Sequence, residues 1–251
     1  KKLMTGKTSA LIMGVGPEQG LGAALCKRFA KENMQVFVCG RTTEKVEHIA
    51  ELINSTGDHA QAITADLTKE TDISTMIDVV NGSGLPLEVA IYNAGNNRPE
   101  PFLDITPEIF ESMWRILCMG GFLASQAVLN LMLQQGDATP KRSLLFTGAS
   151  GSLRGKANFA AFAAGKGALR MLAQSLAREF GPQGIHIAHV IIDGVINGDK
   201  VVKGYPDFVA GLGEDGLLDI HAIAENFWTL HSQERSAWTQ EIDLRPFKEN
   251  F

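Results

Sequence analysis

Cysteine is scarce in this sequence. Its 251 residues include three cysteines, Cys26, Cys39 and Cys118, which are widely spaced and form no CxxC pair. An odd number of cysteines at such positions encodes neither a disulfide framework nor a cysteine-ligated zinc site. We therefore expect no bound metal and a reducing, cytoplasmic location.

The sequence is also poor in long apolar runs and in charge of one sign. The strongly apolar runs at 159–164 and 187–192 are far shorter than the roughly 20 residues that cross a bilayer, and Lys1 and Lys2 lead into no apolar signal core. The formal net charge is −5, whereas binding a phosphate backbone requires a clustered cationic surface. We expect no membrane partner and no nucleic acid partner.

Short continuous apolar runs alternate with longer amphipathic stretches along the chain. The former are typical of strands buried on both faces, and the latter of the helices that cover them. The pattern predicts an α/β fold, and no linker or repeat divides residues 1–251 into more than one domain. The predicted strands are 9–15, 35–39, 60–65, 88–93, 143–148, 185–192 and 241–244, and the predicted helices are 21–31, 43–55, 70–80, 106–133, 159–180 and 221–231.

The segment 197–219 departs from this alternation because it is rich in glycine, mixed in polarity and weakly periodic. Long connections of this kind often act as lids or binding loops. We predict a lid or substrate loop here, and the alternative is an ordinary connection without a role.

A glycine-rich turn, VGPEQGLG at 15–22, joins the first predicted strand to the first helix. Glycines permit the sharp turn and the close approach of a pyrophosphate, whose charge is then held by amides at the helix start. Alone this motif is weak, because methyltransferases and turns that bind nothing share it. Gly6-Lys7-Thr8 resembles the end of a P-loop, but we reject that interpretation because the first glycine of that motif would fall at Lys1.

Arg41 follows the second predicted strand. An acidic residue there would accept hydrogen bonds from an adenosine ribose, whereas an arginine can pair with a 2′-phosphate. The sequence thus favours NADP over NAD. A solvated arginine is the alternative, and Glu18 in the glycine turn would weaken a second phosphate contact.

Four motifs in order resemble the short-chain dehydrogenase/reductase family over residues 5–245. VGPEQGLG at 15–22 is similar to its TGxxxGxG, and Asp66-Leu67 to its adenine-contacting pair. YNAG at 92–95 is similar to its NNAG signature, and DGVI at 193–196 stands where the family has a Pro-Gly turn beside the nicotinamide. Any one match could be accidental, but the ordered set is hard to obtain by chance.

The resemblance implies a doubly wound Rossmann-type domain with about seven parallel strands and helices on both faces. It also implies a small-molecule substrate and a homodimer or homotetramer formed through the fourth and fifth helices. The cofactor-binding residues that it implies are Gly16, Gly20, Leu21, Arg41, Asp66, Leu67, Asn93, Ala94, Gly95, Lys166, Gly194 and Ile196.

The family's catalytic centre is altered here. The family uses a serine, a Tyr-x-x-x-Lys pair and a helix asparagine, which deliver a proton and steady the substrate oxygen during hydride transfer. In this sequence Phe162 stands in the tyrosine position, Ala149 in the serine position and Leu117 in the asparagine position, and Lys166 alone is retained. Ser150 follows Ala149, and a one-residue loop shift would bring it into the serine position.

Other residues are candidates for the missing proton donor. Tyr205 in the predicted lid could swing over the site, and Lys166 could act as an acid if burial lowered its pKa. Tyr92 is better explained as packing under the cofactor. Arg154 could hold an anionic substrate, although a solvated or interface arginine is the more ordinary explanation.

Three functions remain open. The first is an NAD(P)-dependent oxidoreductase with an atypical site, which acts on a small carbonyl, alcohol or activated alkene. The second is a catalytically silent NAD(P)-binding protein with a structural or sensory role. The third is a methyltransferase-like binder, which would leave Arg41 and Lys166 unexplained.

Overall fold

The structure is a computed structural model that describes residues 8–249. The predictions that rest on Lys1, Lys2, Gly6 and Lys7 lie outside these residues. Seven parallel strands form one sheet in the order β3-β2-β1-β4-β5-β6-β7. The strands are β1 Ser9–Met13, β2 Gln35–Gly40, β3 His59–Thr64, β4 Leu87–Tyr92, β5 Ser143–Thr147, β6 His186–Ile192 and β7 Glu241–Leu244.

Helices cover both faces of the sheet, which confirms the predicted doubly wound α/β fold. One core cluster joins the sheet to the helices α1, α2 and α9, and the other joins it to α3, α5 and α6. The helices are α1 Leu21–Ala30, α2 Thr43–Ser55, α3 Glu70–Gly82, α4 Pro107–Trp114, α5 Gly120–Gln134, α6 Ala160–Phe180, α7 Asp199–Gly204, α8 Pro206–Leu212 and α9 Ile220–Ser232.

The strand order places the functional crevice. β2 and β3 lie on one side of β1, whereas β4 to β7 lie on the other. The chain therefore turns in opposite directions after β1 and after β4, and their carboxyl ends open a crevice between the two following loops. In open α/β sheets ligands bind at such a switch point.

Two predicted elements differ from the structure. The predicted helix 106–133 is interrupted by a π-helical turn over Arg115–Met119, which separates α4 from α5. The predicted loop 197–219 contains the two short helices α7 and α8. Periodicity detected neither feature, because a π-turn preserves the apolar pattern and six- or seven-residue helices are too short to show a period.

Residues Pro107–Gln134 form one helical stretch that is long and apolar enough, by length and composition, to cross a membrane. The shorter apolar runs at 159–164 and 187–192, from which no membrane span is expected, lie elsewhere in the chain. Half of its most apolar window is buried inside the protein, where α5 packs against α3 and β4. A core helix of a sheet protein passes the same test, so this stretch is weak evidence for a membrane span.

Candidate cofactor and active site

The glycine turn begins directly at the end of β1. Gly14 has φ +98°, and a Cβ there would lie 2.4 Å from the Ala94 amide nitrogen, so only glycine fits. A Cβ on Gly22 would lie 2.7 Å from the Gly14 carbonyl oxygen. The start of α1 therefore packs directly on the end of β1, as the glycine turn predicts.

Asn93 ties together the loops at the floor of the crevice. Its Nδ2 donates to the Gly14 carbonyl oxygen at 3.0 Å, and its Oδ1 accepts from the Thr147 hydroxyl at 2.9 Å. The nitrogen and the oxygen of the Asn93 side-chain amide are thus both bonded within the protein. Asn93 fixes the spacing between the ends of β1, β4 and β5, and the neighbouring residues Ala94 and Gly95 line the crevice.

The crevice is a cleft of about 480 Å³. Its lining combines backbone from the glycine turn with polar and apolar side chains, and we call the part formed by Arg41, Thr42, Lys45, Asp66 and Thr68 its polar end. The lining residues are Gly14, Val15, Gly16, Gly40, Arg41, Thr42, Lys45, Ala65, Asp66, Leu67, Thr68, Ala94, Gly95, Asn96, Ser112, Met113, Arg115 and Ile116. Six of the twelve predicted cofactor-binding residues thus share one cleft. Of the other six, Gly20 and Leu21 belong to the glycine turn and α1, and Asn93 lies at the floor of the crevice. Lys166 belongs to α6 and Gly194 to the turn after β6, whereas Ile196 pairs with Leu218 in an isolated bridge.

Asp66 lies at the polar end of the cleft, close enough to Arg41 to feel its charge. Partial burial acts to raise the pKa of Asp66, but hydrogen bonds from the Thr68 amide and hydroxyl lower it overall, with help from Lys69 and Arg41. Asp66 is therefore held as a carboxylate, which accepts hydrogen bonds. Its backbone amide donates to Asp72 at 2.8 Å, which fixes the loop.

Glu18 pairs with Lys27 and His48 of its own chain. Its carboxylate lies 2.9 Å from His48 Nε2 and 3.5 Å from Lys27 Nζ. The hydrogen bond to His48 is the largest of the causes that lower the pKa of Glu18. The negative charge that the sequence placed in the glycine turn is thus partly compensated by α1 and α2.

Lys166 on α6 is buried, with 5% of its surface exposed. Its Nζ donates to the Thr147 carbonyl oxygen at 2.7 Å, and burial lowers its pKa from 10.5 to about 8. A Cβ on Gly95 would lie 3.5 Å from this ammonium. The glycine thus leaves open the approach from the cleft to Lys166.

An apolar wall replaces the hydroxyl groups that the family uses. Leu117 is fully buried in the π-turn and packs on Gly165 of α6, where a Cβ would lie 2.7 Å from the leucine Cβ. Phe162 joins Leu117, Met113 and Ala161 in a small apolar cluster. These groups can shape a pocket, but they can neither donate nor accept a proton.

Tyr92 is fully buried beneath this wall, and its hydroxyl donates to the Ile116 carbonyl oxygen at 2.5 Å. That carbonyl belongs to the π-turn, where the regular helical hydrogen bonds are disrupted. Burial raises the pKa of Tyr92. The hydroxyl is committed to the turn, which agrees with a packing role.

The other predicted proton donors lie apart from each other. Ser150 begins a 3-10 turn, Ser150–Ser152, and is half-buried beside the apolar wall. Tyr205 lies between α7 and α8 and is 60% exposed. No hydrogen bond ties the side chain of Tyr205 to another of the described residues, so it is available to move.

The segment after β6 bridges the two loops of the crevice. The Asp199 amide donates to the Gln19 carbonyl oxygen at 2.8 Å, on the side of the glycine turn. Lys200 donates to Asn96 Oδ1 at 2.5 Å and to the Asn97 carbonyl oxygen at 3.3 Å, on the side of β4. α7 thus crosses over the mouth of the crevice.

Arg154 faces a carboxylate of its own chain. It binds both oxygens of Asp193, at 3.0 and 2.8 Å, and Arg245 lies 3.2 Å from the same group. Asp193 is fully buried, and its amide donates to the Leu244 carbonyl oxygen at 2.8 Å. A proline in this place could not make that bond. The guanidinium that we considered for an anionic substrate is therefore already used within the protein.

A row of four linked side chains, which the sequence does not indicate, lies behind the β5–α6 loop. Ser152 Oγ lies 3.4 Å from His189 Nε2, and His189 Nδ1 lies 2.9 Å from Glu241 Oε2. Arg170 binds both oxygens of Glu241 at 2.8 and 2.7 Å. We call Ser152, His189, Glu241 and Arg170 the polar chain. Its members come from four separate elements, so no local sequence pattern indicates it.

No metal site is visible among residues 8–249, where no group of three or more His, Cys, Asp or Glu side chains could hold an ion. His186 and His189 point to different partners, since His186 Nε2 bonds to the Thr239 carbonyl oxygen.

Comparison with known proteins identifies the family. The short chain dehydrogenase model matches residues 9–201. A short-chain dehydrogenase/reductase of Armillaria gallica is 32% identical over 181 residues, which are 71% of this chain and 67% of that protein. The chain belongs to the short-chain dehydrogenase family, whose members are NAD(P)-dependent oxidoreductases.

Two solved structures illustrate the similarity. A short-chain dehydrogenase from Rhodopseudomonas palustris is 33% identical, with a TM-score of 0.81 over 96% of this chain and 99% of that one. The actinorhodin polyketide ketoreductase, determined with NADPH, is 20% identical, with a TM-score of 0.86 over 98% of each chain. The latter likeness shows the fold alone.

Proposed function

We propose that the cleft binds NADP, with the adenosine at its polar end. Asp66 and Leu67 contact the adenine, and Arg41 pairs with the 2′-phosphate. Lys45 lines the same end, so two cations face that group. Thr42 adds a hydroxyl at the start of α2. This concentration of donors is the single observation that supports NADP over NAD, and the pairing of Glu18 with Lys27 and His48 reduces its repulsion of a second phosphate contact.

The remaining predicted residues hold the other parts of the cofactor. The amides of Gly20 and Leu21, with Gly16 beside them, receive the diphosphate at the start of α1. Asn93, Ala94 and Gly95 lie beneath the nicotinamide ribose. Lys166 binds that ribose by giving up or sharing its bond to Thr147, and Gly194 and Ile196 lie along the carboxamide.

Calorimetric titration with NADPH and NADH tests this assignment. We expect both to bind and NADPH to bind more tightly. Absence of heat and of thermal stabilisation with either nucleotide would refute it, because a ligand that binds only the folded state must raise its stability.

We further propose that the protein is an oxidoreductase with an atypical site. When bound, the nicotinamide supplies or accepts a hydride at its C4 atom. The apolar wall cannot protonate a substrate oxygen, so the proton must come from Lys166 Nζ, from Ser150 or from Tyr205 after closure of segment 197–219. Activated alkenes and small carbonyl compounds or alcohols are the substrate classes that suit this arrangement.

A positioned acid or base contributes roughly 10²- to 10⁴-fold to the rate, so its loss slows the reaction without forbidding it. A panel of carbonyl compounds and activated alkenes with NADPH, followed at 340 nm, tests the activity. Tight cofactor binding without turnover on the whole panel would favour the second candidate, a silent NAD(P)-binding protein. The observation that favours this candidate is the replacement of three polar catalytic positions by Ala149, Phe162 and Leu117.

We propose a cytoplasmic homodimer or homotetramer. The exposed faces of α5 and α6 carry large apolar side chains, among them Phe122, 40% exposed, and Met171, 52% exposed. Burying them between subunits would stabilise an assembly. Light scattering after size exclusion gives the mass, and a monomer at all concentrations would exclude this proposal.

A further inference from the structure

The polar chain has a defined direction. His189 is fully buried, and burial lowers its pKa to about 4 despite the hydrogen bond to Glu241. The imidazole is therefore neutral at pH 7 and carries one proton. Because the carboxylate of Glu241 can only accept, that proton lies on Nδ1, and Nε2 accepts from the Ser152 hydroxyl.

The order hydroxyl, imidazole and carboxylate is also that of a nucleophilic triad, but the surroundings do not suit one. Ser152 is 7% exposed, and a Cβ on Gly148 would lie 3.0 Å from its Oγ. Its Oγ also accepts from the Ala149 amide at 3.0 Å. The hydroxyl thus lies under the loop backbone, where no external substrate reaches it.

The polar chain instead holds one particular backbone position. Ser152 Oγ accepts a hydrogen bond from the amide of Ala149, and Ala149 stands where the family has its catalytic serine. A Cβ on Gly148 would lie 2.3 Å from His189 Nε2, so the imidazole and the loop backbone fit only because that residue is glycine. A Cβ on the next glycine, Gly151, would lie 3.0 Å from the Phe162 ring. The loop is thus fixed between His189 behind it and Phe162 in front.

At its other end the polar chain is anchored to α6, the helix that carries Lys166. Arg170 lies one helical turn after Lys166 on α6, and residues four apart share a helix face. Its two bonds to Glu241 connect α6 to β7, and the pairing of His189 with Glu241 follows from the register of β6 and β7. Charged bidentate bonds of this kind are directional and strong.

We propose that the polar chain is a positioning device for the nicotinamide end of the cleft. It fixes the backbone at Ala149, which sets where Ser150 and the nicotinamide lie relative to each other. Its members are positioning residues, since none of them touches the reacting atoms. This inference rests on the proposed cofactor binding.

The test compares Ser152→Ala and Glu241→Ala with the conservative variant Glu241→Gln, which keeps an acceptor for His189. His186→Gln is the matched control, because His186 is a second buried histidine on β6 outside the chain. Hydrogen exchange at the Ala149 amide measures the first link. We expect at least about tenfold faster exchange in Ser152→Ala, because its acceptor is lost, and no change in His186→Gln.

The second measurement concerns the nicotinamide. NADPH and 2′-phospho-ADP-ribose, which lacks the nicotinamide, are titrated into each variant, and the emission of bound NADPH is recorded. We expect Ser152→Ala and Glu241→Ala to bind NADPH about tenfold more weakly and to shift its emission, since small displacements of supporting groups have effects of this size. Affinity for 2′-phospho-ADP-ribose should not change, and Glu241→Gln should stay close to the wild type.

Two results would overturn the inference. Unchanged Ala149 exchange in Ser152→Ala would show that the chain does not hold the loop. Faster exchange with unchanged NADPH affinity and emission would show a structural role alone. Failure of the wild type to bind NADPH would instead refute the proposed function, and the positioning role with it, which the wild-type titration reveals before any variant is compared.

Discussion

The ammonium of Lys166 donates to the main-chain oxygen of Thr147 over 2.7 Å, in a place where burial lowers its pKa to about 8. The ordinary value is 10.5. Between these two pH values the unfolded chain keeps a proton that the folded chain has released. The free energy of unfolding contributed by Lys166 therefore rises with pH across this window.

We predict that Lys166→Met is more stable than the wild type at pH 7, by up to about 3 kcal/mol, because methionine carries no charge to bury. The difference in unfolding free energy between the variant and the wild type should disappear as the pH rises from 8 to 10.5. Urea unfolding at pH 7, 8.5 and 10 measures this difference, with the exposed Lys203→Met as control. A gap that stays constant over this range would contradict the lowered pKa.

Arg41 is predicted to select the cofactor. Arg41→Ala should weaken NADPH binding about tenfold, since an exposed charged hydrogen bond contributes about 1.5 kcal/mol. NADH lacks the 2′-phosphate, so its affinity should change little. Calorimetry with both nucleotides measures the ratio, and Lys31→Ala, which removes an exposed cation at the end of α1, is the control. An equal loss for both nucleotides would argue against a 2′-phosphate contact.

Restoring the missing hydroxyls should restore catalysis. The double variant Ala149→Ser and Phe162→Tyr regains the family's proton donor and substrate contact. We expect NADPH consumption with a small ketone to rise by roughly 10²- to 10⁴-fold. The control Phe159→Tyr adds a hydroxyl to the neighbouring ring and should have no effect. If the double variant binds NADPH without turnover, Leu117 or the loop geometry also blocks the reaction.

The sequence predicts the features that are set by residues close together along the chain, and not those that depend on contacts between residues far apart in sequence. Every predicted strand is present within two residues of its expected bounds. The five central strands are buried on both faces and therefore need a continuous apolar run, whereas β3 and β7 at the edges of the sheet are partly exposed. The glycine turn, Asp66 and Gly95 meet in one cleft, since parallel strands bring their carboxyl ends to one edge. Local sequence patterns are therefore sufficient to predict these features.

The rest depends on contacts between distant residues. Arg154 and Asp193 are 39 positions apart, and His189 and Glu241 are 52 apart. No local pattern indicates that such residues meet. The use of Arg154 within the protein, the π-turn at Leu117 and the polar chain therefore became visible only with the packing of α6 against the sheet.

Asp193 is predicted to stabilise the turn after β6. Asp193→Asn keeps the shape but leaves Arg154 without its carboxylate partner and removes one of the two carboxylates that Arg245 contacts. We expect a loss of about 2 kcal/mol in unfolding free energy, in the range of hydrogen bonds to charged groups. Asp207→Asn, an exposed change of the same kind, should have no effect in the same urea titration. Equal stability of the Asp193 variant and the wild type would show that the ion pairs only balance their desolvation.

The last prediction concerns acid. The folded pKa of His189 is about 4, against 6.5 for an ordinary histidine, because burial outweighs the bond to Glu241. Between these values the unfolded chain binds a proton that the folded chain excludes. The stability contributed by His189 is therefore present above pH 6.5 and is lost as the pH falls towards 4.

The variant His189→Gln cannot be protonated, so its stability should fall less between pH 6.5 and 4 than that of the wild type. We expect the difference between the two proteins to change by up to about 3 kcal/mol over this range. Carboxylates titrate in both proteins, so their contribution to the pH dependence cancels when the two stabilities are subtracted. Parallel stability curves for the two proteins would show that the imidazole accepts its proton without breaking the link to Ser152, and that the folded pKa is ordinary.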